Sequence, residues 1–103
     1  MQLSDRVRKV SDEILRRFGP QEMILYNLKR DVSGDVSSFK ICVVAPTQDK
    51  FETEKQIYLG IDSEVPFDVL IYTPEEWRML RDEKGSFAYR IIRKGQYIYG
   101  EEK

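Results

Sequence analysis

A nearly unbroken apolar run, FDVLIY (Phe67–Tyr72), passes without a spacer into TPEEW (Thr73–Trp77). The run is short, rich in β-branched and aromatic residues, and bounded by Pro66, so it predicts a strand. Its apolar density predicts a central position covered on both faces. TPEEW is a helix start. Thr73 is the N-cap, Pro74 takes the first helical position, and Glu76 closes a capping box three residues on. A buried strand that feeds a capped helix confines the chain to an α/β arrangement, with helices packed on a sheet.

The remaining pattern fits that frame. Val7, Val10, Ile14 and Phe18 recur at helical spacing, Ser4 caps the start and Gly19-Pro20 ends it, which predicts a helix over residues 5–18. Asp5 with Lys9, Asp12 with Arg16 and Glu13 with Arg17 add acid-first pairs four apart. MILYNL (23–28) and FKICVVA (39–45) read as strands. The polar KRDVSGDVSS (29–38) between them carries a turn signal at Ser33-Gly34-Asp35, so the two strands form an antiparallel hairpin or a closely related turn. FETEKQIYLG (51–60) predicts a helix with Phe51, Ile57 and Tyr58 on one side. The capped helix runs to Lys84-Gly85, Ser86 opens another that Gly95 ends, and QYIY (96–99) is a short edge strand. The expectation is one domain over 1–103, of class α/β: a small mixed sheet packed with helices, in which the apolar density of the strands, together with the family resemblance given below, places strand 39–45 between 23–28 and 67–72.

Composition narrows the chemistry. The chain has no histidine, so Ser-His and Cys-His pairs and histidine metal ligands are excluded. Any catalysis rests on carboxylates, lysine, tyrosine or backbone dipoles. The single cysteine, Cys42, excludes an internal disulfide and fits a reducing compartment. A formal net charge of −1 gives no strong nucleic-acid signal, because phosphate neutralisation needs a basic excess. No apolar run reaches the length of a membrane span and the N-terminus lacks a secretory apolar core, so a cytoplasmic location without membrane contact is expected.

The order helix, strand, loop, strand, helix, strand, capped helix, helix, short strand resembles the minimal nucleotidyltransferase family of the polymerase-beta-like superfamily. Val65–Ile71 is similar to that family's acid-bearing strand, TPEEW to the helix after it, and SFAYRIIRKGQYIYG (86–100) to its closing segment. The resemblance implies a nucleotidyltransferase-like fold. It also implies an active site in which Gly-Ser ends the first strand, Asp-x-Asp opens the second after a loop of about ten residues, and a later strand gives a third Asp. In the family those three carboxylates hold two divalent cations that align a nucleotide triphosphate and activate the attacking hydroxyl.

Only the third acid, Asp68, matches. Gly-Ser falls on Asn27 and Leu28. Asp-x-Asp falls on Ser38 and Lys40 if the loop is one residue shorter, and on Phe39 and Ile41 without that gap. A lysine ammonium repels a cation where the family binds one. Ser38, Lys40 and Asp68 are therefore expected as relic positions, with no catalytic residue, no bound metal and no cofactor. A Lys40–Asp68 ion pair is expected in place of the metal, and Cys42 is expected as a buried inert thiol.

The resemblance implies a catalytically degenerate domain that acts by binding a partner, as an antitoxin-like half of a pair with an all-helical protein of the HEPN class, or as a homodimer. Two alternatives keep chemistry in the cleft. One is a divergent enzyme that uses Asp68 as a metal ligand with Asp31 or Asp35, and so needs Mg²⁺ and a nucleotide. The other is a nucleotide sensor without turnover, with Asn27, Lys29, Arg30 and Lys40 meeting the phosphates. The most apolar candidate docking surface lies at the C-terminal end, where Phe87, Tyr89, Tyr97 and Tyr99 sit near a sheet edge.

Overall fold

The computed structural model describes residues 3–100. In chain order it contains α1 (Asp5–Phe18), β1 (Glu22–Arg30), β2 (Val36–Val44), α2 (Lys50–Gly60), β3 (Phe67–Tyr72), α3 (Pro74–Leu80), α4 (Phe87–Lys94) and β4 (Gln96–Tyr99). The four strands form one mixed sheet in the order β3-β2-β1-β4. β1 pairs antiparallel with β2 and β4, and β2 pairs parallel with β3. This is the expected small α/β sheet, with β2 between β1 and β3.

Strand alternation sends apolar residues to both faces, and helices cover each. On one face Met23, Leu25, Phe39, Ile41, Val43, Val69 and Ile71 pack under Val7, Val10 and Ile14 of α1 and Ile57 of α2. On the other, Ile24, Cys42 and Val44 meet Trp77 of α3 and Ala88 and Ile91 of α4. The Ser4 side chain accepts from the Arg6 N–H at 3.1 Å to start α1, and Gly19 stops it in a left-handed conformation at φ 55°.

The hairpin is longer than its polarity suggests. β1 and β2 stay paired out to Arg30 and Val36, so the connection is only residues 31–35. Lys29, Arg30 and Ser38 remain in the ladder, with Ser37 the extra residue of a bulge, because an antiparallel hairpin tolerates polar residues where it meets water. Asp31 organises the turn: its Oδ1 accepts from the Ser33 N–H, the Ser33 hydroxyl and the Asp35 N–H at 2.9, 2.6 and 3.1 Å.

Three expectations need correction. β3 is an edge strand, not a central one. Val69 and Ile71 are buried, Leu70 and Tyr72 half-buried and Asp68 exposed. Its apolar density is served by helices instead of a further strand, and the Val69 N–H donates to Tyr58 Oη of α2 at 2.7 Å. α2 does not place Phe51, Ile57 and Tyr58 on one side. Ile57 is its one buried residue, while Phe51 and Leu59 are each 78% exposed and Tyr58 40%. Residues 51 and 57 stand about 120° apart around a helix, and 57 and 58 about 100°, which is the reason. The capped helix ends at Leu80 and not near Lys84. The Ser86 hydroxyl donates to the Leu80 carbonyl at 2.6 Å while its oxygen accepts from the Tyr89 N–H at 3.0 Å, so one residue closes α3 and opens α4.

Candidate functional site

The sheet register decides which candidate residues meet. Lys40 lies directly opposite Asp68 across the parallel β2–β3 pair, Asn27 opposite Lys40, and Lys29 opposite Ser38. Register partners share a face. Lys40 alternates with Phe39 and Ile41, which point into the α1/α2 core, so these five side chains occupy the α3/α4 face. A bulge between Leu25 and Asn27 makes Tyr26 the extra residue of β1 beside that row. α3 and α4 cover the Cys42 end of the face and leave this end open: Asn27, Lys29 and Asp68 are exposed, Ser38 and Lys40 half-buried.

Arg30 does not join them. Its guanidinium donates to the Gly34 carbonyl at 2.9 Å, and it lines a groove with Ser4, Arg6 and Glu64. Leu28 packs against the α1/α2 core instead of facing the row. Phe39 and Ile41, the positions of the ungapped register, are fully buried in that core. Among the two registers weighed for an acid pair, only Ser38 and Lys40 reach an open surface.

The expected direct Lys40–Asp68 ion pair is not made. Ion pairs within 4.0 Å among the described residues join Arg6 to Glu64, Arg16 and Arg17 to Glu13, Lys50 to Glu76 and Arg81 to Glu22. Asp68 is exposed and Lys40 half-exposed, so water solvates both charges, and direct contact offers each little. No group of three or more Cys, Asp or Glu side chains among the described residues is placed to hold a metal ion. Asp31 is committed to its turn, where hydrogen bonds from Ser33 first, and then from the backbone N–H groups of the turn, hold its carboxyl below the usual range. The donor set around Asp68 therefore does not fit a two-cation site.

Tyr26 is the residue the sequence did not single out. Its ring meets Phe87 edge-on, with centroids 5.6 Å apart, and the Arg90 guanidinium lies 5.3 Å above Phe87. Tyr26, Phe87, Arg90, Ile91 and Lys94 line a shallow pocket along α4. Burial first, and then the charges of nearby groups including Asp68, push the Tyr26 hydroxyl up to about 12. Arg90 and Lys94 are four apart on one helix, a signal that was present in the sequence. Tyr26 read only as the apolar end of a strand. Gly95 lets α4 close on β1: a Cβ there would meet the Ile91 carbonyl oxygen at 2.6 Å and Ile24 Cγ2 at 2.7 Å.

At the covered end of the same face, Cys42 is fully buried, and burial pushes its thiol pKa up, with a smaller contribution from Glu22. It is an inert core thiol. Tyr97 is half-buried there, and its hydroxyl is pushed up to about 12 by burial and then by the Glu22 carboxylate. The expected C-terminal docking surface is thus divided. Tyr97 turns its hydroxyl inward, Phe87 and Tyr99 are each 44% exposed, and Phe51 and Leu59 of α2 and Met79 of α3 are more exposed than either.

No helix of the described residues is long and apolar enough to cross a membrane. Comparison with family models, with curated proteins and with solved structures gives no match to this chain.

Proposed function

We propose that the chain is a catalytically degenerate nucleotidyltransferase-like domain that acts by binding a partner. The observation that carries this reading is Lys40 standing directly opposite Asp68 in the β2–β3 register. Where two-cation chemistry needs carboxylates facing one another, an ammonium faces the single acid. The partner class, an all-helical protein of the HEPN type with this chain in an antitoxin-like role, rests on the sequence resemblance alone. A reducing cytoplasm suits the one free thiol.

Calorimetric titration with Mg²⁺ and ATP tests the degenerate reading. The expected result is no strong metal-dependent heat. A strong signal that needs Mg²⁺ and disappears in Asp68→Asn overturns it and restores the divergent enzyme. One observation favours a second reading, a nucleotide sensor without turnover: Arg90 and Lys94 flank the aromatic wall of Tyr26 and Phe87, a setting that accepts an anion without a cation. ATP heat that persists in EDTA and falls in Arg90→Ala selects that reading.

A further inference from the structure

Among the described residues the exposed large apolar side chains are mostly single: Val32 at the hairpin tip, Met79 on α3, Phe87 on α4, Tyr99 on β4. Isolated residues of this kind are ordinary on protein surfaces. α2 is different. Phe51, Tyr58 and Leu59 recur at i, i+7 and i+8, and with Glu54 and Lys55 between them they line one shallow apolar groove. The fold uses only Tyr58 of this stripe, whose hydroxyl accepts from the Val69 N–H and whose ring lies 5.6 Å from that of Phe67; Phe51 and Leu59 stay exposed, since Ile57 on the other side supplies the helix's contact with the core. The stripe is also rigidly presented. The Asp49 side chain caps α2 by accepting from the Glu52 N–H at 3.1 Å, and Tyr58 is pinned to the backbone of β3.

We infer that this stripe is the contact surface of a homodimer, with α2 of one copy packed antiparallel against α2 of a second. Charge complementarity identifies the occupant. In an antiparallel pair with its twofold axis between residues 54 and 55, Glu54 of each copy faces Lys55 of the other. Phe51 of each copy then lies against Tyr58 and Leu59 of the other. One arrangement covers all three apolar side chains and satisfies both charges twice, as an isologous interface requires. Both charges are free for it: neither Glu54 nor Lys55 takes part in an ion pair within 4.0 Å among the described residues. A helix stripe that meets its own copy in this way uses 3-4 packing with a polar pair fixing the register. Tyr58 of each copy keeps its bond to the Val69 N–H, which removes that donor from the open edge of β3. The inference does not depend on the Lys40–Asp68 face, which the metal titration tests separately.

Light scattering and sedimentation of the full chain over a concentration series test it. The wild type is expected as a dimer. Lys55→Glu and Glu54→Lys each place four like charges at the centre and should raise the dimer dissociation constant by about tenfold or more. Phe51→Ser, lost from both copies, should raise it by about a hundredfold. The decisive result is rescue. An equimolar mixture of Lys55→Glu and Glu54→Lys chains should form heterodimers of wild-type strength, and the double variant that carries both changes should dimerise again. Circular dichroism identical to wild type confirms that these surface changes leave the fold intact. A chain that stays monomeric at every concentration overturns the inference. So does a dimer indifferent to both charge reversals, or a stripe that binds only a different protein.

Discussion

α1 and α2 lie on the same face of the sheet and contribute to the same core, yet they use their apolar residues in opposite ways. α1 turns Val7, Val10 and Ile14 inward and leaves charges outside. α2 sends Ile57 inward and Phe51, Tyr58 and Leu59 outward. A helix that commits all its apolar surface to one stripe is explained by folding alone. A helix that divides it carries surface beyond what the fold needs, and that surplus points outside the chain.

The sharpest way to break this contrast is to truncate one residue from each side of α2 and compare them with α1. Ile14→Ala and Ile57→Ala each remove a fully buried side chain, and each should cost about 2–5 kcal/mol in denaturant unfolding. Phe51→Ser in dilute, monomeric protein should fall within about 0.5 kcal/mol of wild type, as an exposed position does. A Phe51 change that costs as much as Ile57→Ala breaks the comparison, because the outward stripe would then belong to the core.

A smaller effect separates the two kinds of half-buried tyrosine. Tyr58 on α2 accepts a hydrogen bond from Val69, so Tyr58→Phe leaves an edge N–H without its partner and should cost about 1 kcal/mol at every pH below its titration. Tyr26 and Tyr97, on the opposite face, have hydroxyls raised to about 12 from an ordinary value of 10. Below pH 10 they are neutral in both the folded and unfolded chain and contribute no pH dependence. Between 10 and 12 the unfolded chain releases its protons first, so stability falls as pH rises through that window. Tyr97→Phe and Tyr26→Phe should each flatten this alkaline loss and leave stability at pH 7 far less changed than Ile14→Ala. Unchanged alkaline slopes in both variants would show that their hydroxyls are not held inside. Tyr58 and Tyr72 are raised in the same direction, so some slope remains.

What the sequence made legible follows from how local each signal is. The span of α1 and the capping box at Thr73–Glu76 come from period and cap chemistry within a few residues of one another, whereas the position of β2 between β1 and β3 was expected from apolar density together with the family resemblance. The edge position of β3 was not legible, because FDVLIY reads the same whether a strand or a helix covers it. The end of α3 at Leu80 depends on Ser86 reaching back six residues, a contact without a periodic signature. In the candidate site, alternation along β2 put Lys40 on the face opposite Phe39 and Ile41, while its place beside Asp68 was expected only from the family resemblance. Tyr26 was not, because its place depends on a bulge that shifts β1 by one residue and on α4 arriving from sixty residues away. The outward stripe of α2 was present in the spacing, but a helix with apolar residues on two sides has no single face to find.

The smallest expected effect extends the comparison to the other face, where Cys42 lies under α3 and α4 and Lys40, two residues earlier on β2, lies in the open. If the open end is as solvated as its exposure indicates, Lys40 and Asp68 should be coupled only weakly despite being register neighbours. Neighbouring side chains on adjacent strands feel each other's charge, but exposed pairs in water are worth about 0.2–1 kcal/mol and weaken with salt. A double-mutant cycle of Lys40→Met and Asp68→Asn should therefore give a coupling energy below about 1 kcal/mol that shrinks further as salt screens it. A buried ion pair behaves in the opposite manner: removing one partner alone costs several kcal/mol, because it strands a charge away from water. A large, salt-insensitive coupling would thus show that the row between β3 and β1 is closed off from solvent, and that Lys40 has taken over a structural role instead of leaving an open, cation-rich surface beside a single acid.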